Sequence, residues 1–245
     1  MRGIAWIAVA AAVSAACGGA SGATRPRPLQ YHFKEQYLMK VPPEERAEMK
    51  AALAEYNRAK QENRVAESEY ADSKSKLDQA KGEASKAHGQ KESADSQREE
   101  AEKGKNNFNQ LNMAKRDQRV AEVTQRAADQ KVEMLEARRS YLDKWVRYTR
   151  EYVFVAEAKY ELAKANTARA HDIAPPDFAY QAYVEQYEKR RPRADKLKGP
   201  VAGAKESWLA EQKDYEVKRR DEMEARGIDT AAKSPDADQT KKTKK

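Results

Sequence analysis

Counting three and four residues alternately from Met49 lands on Ala52, Tyr56, Ala59, Asn63, Ala66, Tyr70, Ser73, Leu77, Ala80, Ala84, Ala87, Ala94 and Ala101. Lys91 and Arg98 interrupt the count, so the seam turns polar beyond Ala87. Ala or Ser fills every second seam position, which lets two helices approach closely. Asn63 sits inside the seam, where a polar residue fixes register at a cost in stability. The same count from Met113 runs through Val120, Val123, Ala127, Met134, Ala137, Tyr141, Tyr148, Val155, Ala158, Leu162 and Ala165. From Val132 a second apolar row joins it, with Leu135, Leu142, Trp145, Tyr152, Ala156 and Tyr160. A stripe that wide implies more than one partner helix at this end.

No proline occurs between Pro43 and Pro175, so nothing of that kind breaks the pattern. Val41-Pro42-Pro43-Glu44-Glu45 reads as a helix start, with Pro at the first position and acids at the positive end. Lys103-Gly104-Lys105-Asn106-Asn107 offers residues that tolerate the left-handed conformation. A reversal there, at 103–110, gives two arms of about 90 Å each at 1.5 Å per residue. It sets Leu77 near Met134, Tyr70 near Tyr141 and Tyr56 near Val155. Gly82 and Gly89 are alternative turn positions that leave unequal arms, and an unbroken rod is a third arrangement.

After Ala174-Pro175-Pro176 the pattern predicts two short helices within 175–227. The first carries Phe178, Tyr180, Tyr183, Val184 and Tyr187. Pro192 and Gly199-Pro200 interrupt, and the second runs from about Val201 to Arg226, capped by Gly227. The predicted fold is all-α: a long antiparallel coiled-coil hairpin over 41–174 on a small C-terminal helical base, where most aromatics gather. Residues 228–245 are polar and Lys-rich and read as disordered. Ala-rich seams pair within or between chains, so the pattern leaves the oligomeric state open.

The composition fits long helices: 36% of residues are charged and only 8% aromatic. The net charge of +8 would suit a polyanionic partner, but acids and bases alternate along the helices as on solvated faces. The exception is the terminal Lys241, Lys242, Lys244 and Lys245.

The N-terminus differs from the rest. Arg2 precedes the apolar run Ile4 to Val13, and no charge appears from Gly3 to Thr24. That run is too short for a bilayer, which needs about 20 apolar residues, and fits the core of an export signal over 1–16. Ser14-Ala15-Ala16-Cys17 follows, and Cys17 is the only cysteine. This arrangement resembles the lipobox of bacterial lipoprotein precursors, although Ser14 stands where Leu is usual. The resemblance implies that Cys17 becomes the acylated first residue, anchoring the chain in a membrane. Gly18 in place of Asp implies the outer membrane, facing the periplasm. Residues 17–40 then form the lipidated Cys and a flexible tether, with Tyr31–Met39 as a short segment docking on the body.

No phosphate loop, nucleophile elbow or metal-ligand spacing is present. His32, His88 and His171 lie far apart, so no catalysis, cofactor or metal is expected, and an export signal argues against nucleic acid. The expected work is that of a non-catalytic envelope spacer, scaffold or adaptor. The alternative is a binding module whose tip, with apolar Phe108, Leu111 and Met113 beside the turn, docks on an outer-membrane channel, a secretion component or a cell-wall enzyme. A lipidated N-terminus, a helical middle and a terminal Lys also resemble, in layout, the major peptidoglycan-linked lipoprotein of enteric bacteria. That likeness implies peptidoglycan contact by Lys241, Lys242, Lys244 and Lys245.

Overall fold

The computed structural model describes residues 26–104 and 108–228. All its elements are helical. Two 3-10 turns (Glu35–Lys40 and Pro43–Arg46) lead into α1 (Ala47–Lys103), α2 (Phe108–Ala170) and α3 (Tyr180–Ala225). At 1.5 Å per residue these helices are about 86, 95 and 69 Å long. α2 packs along α1 and along α3.

α1 and α2 run in opposite directions. Tyr56 stacks on Tyr160 (6.4 Å between centroids), Leu77 and Ala80 pack on Leu135, and Gln118 donates to Asp95 (2.7 Å). Every buried residue of α1 falls on the 3-4 count: Ala52, Ala59, Ala66, Ser73, Leu77, Ala80, Ala84, Ala87 and Ala94. The wider neighbours Met49, Tyr56 and Tyr70 are half-buried at its margin. Gly82 and Gly89 lie inside α1, so neither is a turn.

The count begun at Met113 starts exposed at Met113 and Arg116 and turns inward at Ala127, Val155, Ala158 and Ala165, with Tyr141 of the same row against Trp208 of α3; a second row lies along α1. Ala114, Ala121, Leu135, Leu142, Thr149, Ala156 and Ala163 recur at multiples of seven and are buried. Leu77 meets Leu135 with Met134 beside it, and Tyr56 faces Tyr160 where Val155 was expected. Asn63 is matched across the seam by the buried Thr149, whose hydroxyl donates to Asn63 Oδ1 (3.1 Å). That pair gives the otherwise smooth Ala seam one polar register point.

The ends of the helices have local causes. The Gly104 N–H bonds to Glu100 O at 3.0 Å, but the residue is extended (φ −72°, ψ 107°), not left-handed as expected. The left-handed position at the end of α2 is Asp172 (φ 53°). There the Ile173 N–H returns to Ala168 O (3.1 Å), and the Ile173 side chain joins the core. Gly227 (φ 71°) closes α3 in the same way, with the Ile228 N–H on Met223 O (2.9 Å).

The expectation of two short C-terminal helices is corrected: α3 is one helix of 46 residues with Pro192 and Pro200 inside it. An internal proline costs a helix about 3 kcal/mol. Both rings face solvent, while Arg190, Ala194 and Ala204 are buried. Packing along α2 carries the helix through. The compact aromatic base is corrected with it. Trp208 stacks on Tyr141 (5.5 Å) and Tyr141 on Trp145 (6.0 Å), midway along the rod. Arg226 reaches Thr124 Oγ1 (3.1 Å), so the distal ends of α1 and α2 extend past α3 by roughly 20 Å.

Candidate functional site

The densest chemistry lies where the segment 27–46 crosses the proximal ends of the helices. Leu29, Phe33, Leu38 and Val41 are buried, so the described part of the expected tether, from residue 26 onward, is a docked strap. Phe33, Leu38 and Val41 pack on Ala165 and Ala168 of α2, with Phe178 and Tyr183 closing over them. The Phe33 ring meets Phe178 edge-on (5.7 Å, 90°).

The extended part of the strap, residues 27–34, leaves its N–H and C=O groups without secondary-structure partners, and buried groups of that kind must be paired. Side chains of α2 and α3 supply the pairs. Gln186 Oε1 accepts the N–H groups of Gln30 and Tyr31 (2.9 Å each), and its amide donates to Tyr31 O (2.9 Å). Glu161 Oε2 accepts the Phe33 N–H (2.6 Å), and Lys164 Nζ donates to Phe33 O (3.3 Å). Arg190 donates to the Arg27 carbonyl and pairs with Glu151 (3.3 Å).

This clamp explains four charged groups that are at least nine-tenths buried: Glu151, Glu161, Lys164 and Arg190. Lys164 lies 2.7 Å from Glu161 and 4.5 Å from the Tyr160 ring centre. Arg190 lies over the Phe154 ring (5.1 Å). Burial, with the neighbouring Glu161 charge, pushes the Glu157 carboxyl above its usual range, against the opposing pull of His32. Burial and the bond to Glu35 push the Tyr160 phenol up to about 12. Burial and the bond to Glu55 do the same for Tyr152, also to about 12.

The expected site residues are widely separated. Cys17 and Lys241, Lys242, Lys244 and Lys245 lie outside the described residues. Phe108 opens α2 at the far end from the strap and is 76% exposed, and Met113 is 66% exposed. Leu111 is half-buried. Contacts between the helices behind them are polar: Asp95 and Arg98 on α1 both bond Gln118 on α2 (2.7 and 3.0 Å). The three histidines lie beside acids in different parts of the molecule, His32 at Glu161 (3.8 Å), His88 at Asp129 (2.9 Å) and His171 at Glu45 (3.0 Å).

The strap clamp was missed from sequence. Its signal was present as charged residues on the most apolar stretch of α2, namely Glu151, Glu161 and Lys164. Comparison with protein families, curated proteins and solved structures gives no match.

Proposed function

We propose that the chain is a non-catalytic envelope lipoprotein, anchored through acylated Cys17 at the outer membrane and facing the periplasm. In this reading α1 and α2 form a coiled-coil hairpin that acts as a spacer, scaffold or adaptor. The observation that carries it is the polarity of the rod. The strap places Arg27 against Arg190, a residue paired with Glu151. Phe108 lies 43 residues away along α2, about 65 Å at 1.5 Å per residue. An anchor at one flank and an exposed apolar end at the other suit a part that bridges a distance. Durable anchoring needs two or more chains, which the lipobox resemblance implies. Subcellular fractionation of Cys17→Ser tests the anchor. The variant moves to the soluble fraction under this reading, and its retention in membranes at the wild-type level refutes it.

A second reading has a specific observation behind it. Phe108 and Met113 are among the most exposed large apolar residues of the described chain, which suits a distal end that docks on a channel, a secretion component or a cell-wall enzyme. A photo-crosslinker at Phe108 in intact cells separates the two. A discrete adduct lost in Met113→Ser supports docking. Absence of any adduct leaves the spacer reading standing alone.

A further inference from the structure

The strap fixes where the chain leaves the body, and the surface around that exit is basic. Lys189, Arg193 and Lys196 are spaced i, i+4, i+7 on α3, which puts them on one face, and all three are exposed. Arg27 and Pro28 of the strap line one groove with Lys189 and Arg193, about 320 Å³ in volume, and Tyr31 borders it. Lys189 pairs with Glu185 (3.1 Å). The guanidinium groups of Arg27 and Arg193 and the ammonium of Lys196 have no acidic partner among the described residues. The buried Arg190 holds this corner together, since it binds Arg27 O.

We propose that this corner, formed by Arg27, Lys189, Arg193 and Lys196, is a docking surface for the anionic phospholipid headgroups of the leaflet that holds the anchor. Two features select that occupant. The first is charge: Arg27 on the strap and Arg193 and Lys196 on α3 carry no acidic partner among the described residues, and each adds roughly fivefold to the affinity for an anionic surface. The second is tether length, and it rests on the proposed role of Cys17. The ten residues from Cys17 to Arg27 span at most about 36 Å, so an anchor there confines the corner to within that distance of the headgroups. Tyr31, 38% exposed in the same groove, is the kind of side chain that settles at a membrane interface. Contact at this corner orients the rod and holds the Phe108 end away from the anchor.

The test uses the full chain carrying Cys17→Ser, so no acyl chain contributes. Sedimentation with phosphatidylcholine vesicles is compared with vesicles that also contain phosphatidylglycerol, and only the gain from the anionic lipid is read. The triple variant Arg27→Gln/Arg193→Gln/Lys196→Gln loses that gain on the order of 100-fold. A distal triple of equal charge loss, Lys115→Gln/Arg116→Gln/Arg119→Gln, loses less than a tenth as much. Arg193→Lys in the parent keeps the gain, which separates charge from folding. Equal loss in both triples, or no preference of the parent for anionic vesicles, overturns the proposal. Neither result bears on Cys17 acylation, which fractionation of Cys17→Ser beside the wild type reads separately.

Discussion

Glu161 accepts the backbone N–H of Phe33 at 2.6 Å, a bond between positions 128 residues apart in the chain. The carboxylate is 5% exposed, and its other oxygen faces Lys164 at 2.7 Å. This buried ion pair pins the strap at Phe33, as the buried Arg190–Glu151 pair does at Arg27, and the strap covers the core against Ala165 and Ala168.

Glu161→Ala leaves Lys164 buried without its close partner. Breaking such a pair costs about 3–5 kcal/mol. Gln186→Ala removes bonds at the more exposed part of the strap and costs about 1–2 kcal/mol. Chemical denaturation is expected to rank Glu161→Ala well below Gln186→Ala. A Glu161→Ala protein as stable as the parent would contradict the clamp.

The phenols of Tyr152 and Tyr160, both pushed up to about 12, give an alkaline prediction. Their folded-state values lie above the ordinary 10, so the folded state binds more protons between the two. The stability they add is present below pH 10 and is lost as pH rises toward 12. Spectrophotometric titration should show a late tyrosinate phase that shrinks in Tyr160→Phe. On the acid side, the Arg150 bond holds Glu67 below its ordinary 4.5. Its contribution is present above that value and fades as pH falls below it.

Gly82, Gly89 and Gly199 are helical, and a methyl group at each meets nothing within 4 Å. Replacing each with Ala should stabilise the protein by about 0.8–1 kcal/mol. Thermal unfolding checks this, and destabilisation at Gly82 or Gly89 would mean that α1 is not continuous there.

Hydrogen exchange should be graded along the rod. The distal seam offers Ala94, Ala114 and exposed hydrogen bonds such as Arg98 to Gln118, with few large apolar contacts. Amides near Arg98 and Arg116 are expected to exchange well before those near Ala156 and Ala163, since local opening follows low burial. Uniform protection along α2 would contradict this distribution of stability.

The α1 seam was legible because α1 packs along a single helix, so its apolar positions keep one period. α2 serves two neighbours, and the row ending in Ala156 and Ala163 was hidden beside the count from Met113. α3 was obscured by Pro192 and Pro200, whose rings point to solvent and whose cost the contacts of Ala194 and Ala204 offset. The strap has no period at all. Leu29, Phe33 and Leu38 are anchors of an irregular segment, and only the tertiary partners Gln186, Glu161 and Lys164 reveal their role.

The central claim, a rod anchored at its strap flank, depends on the chemistry of residue 17. Mass spectrometry of the N-terminal peptide, purified from membranes, tests it most directly. The expected result is a mature chain beginning at Cys17 with a diacylglycerol thioether on its sulfur. An unmodified Cys17, or a chain that begins elsewhere, would contradict it.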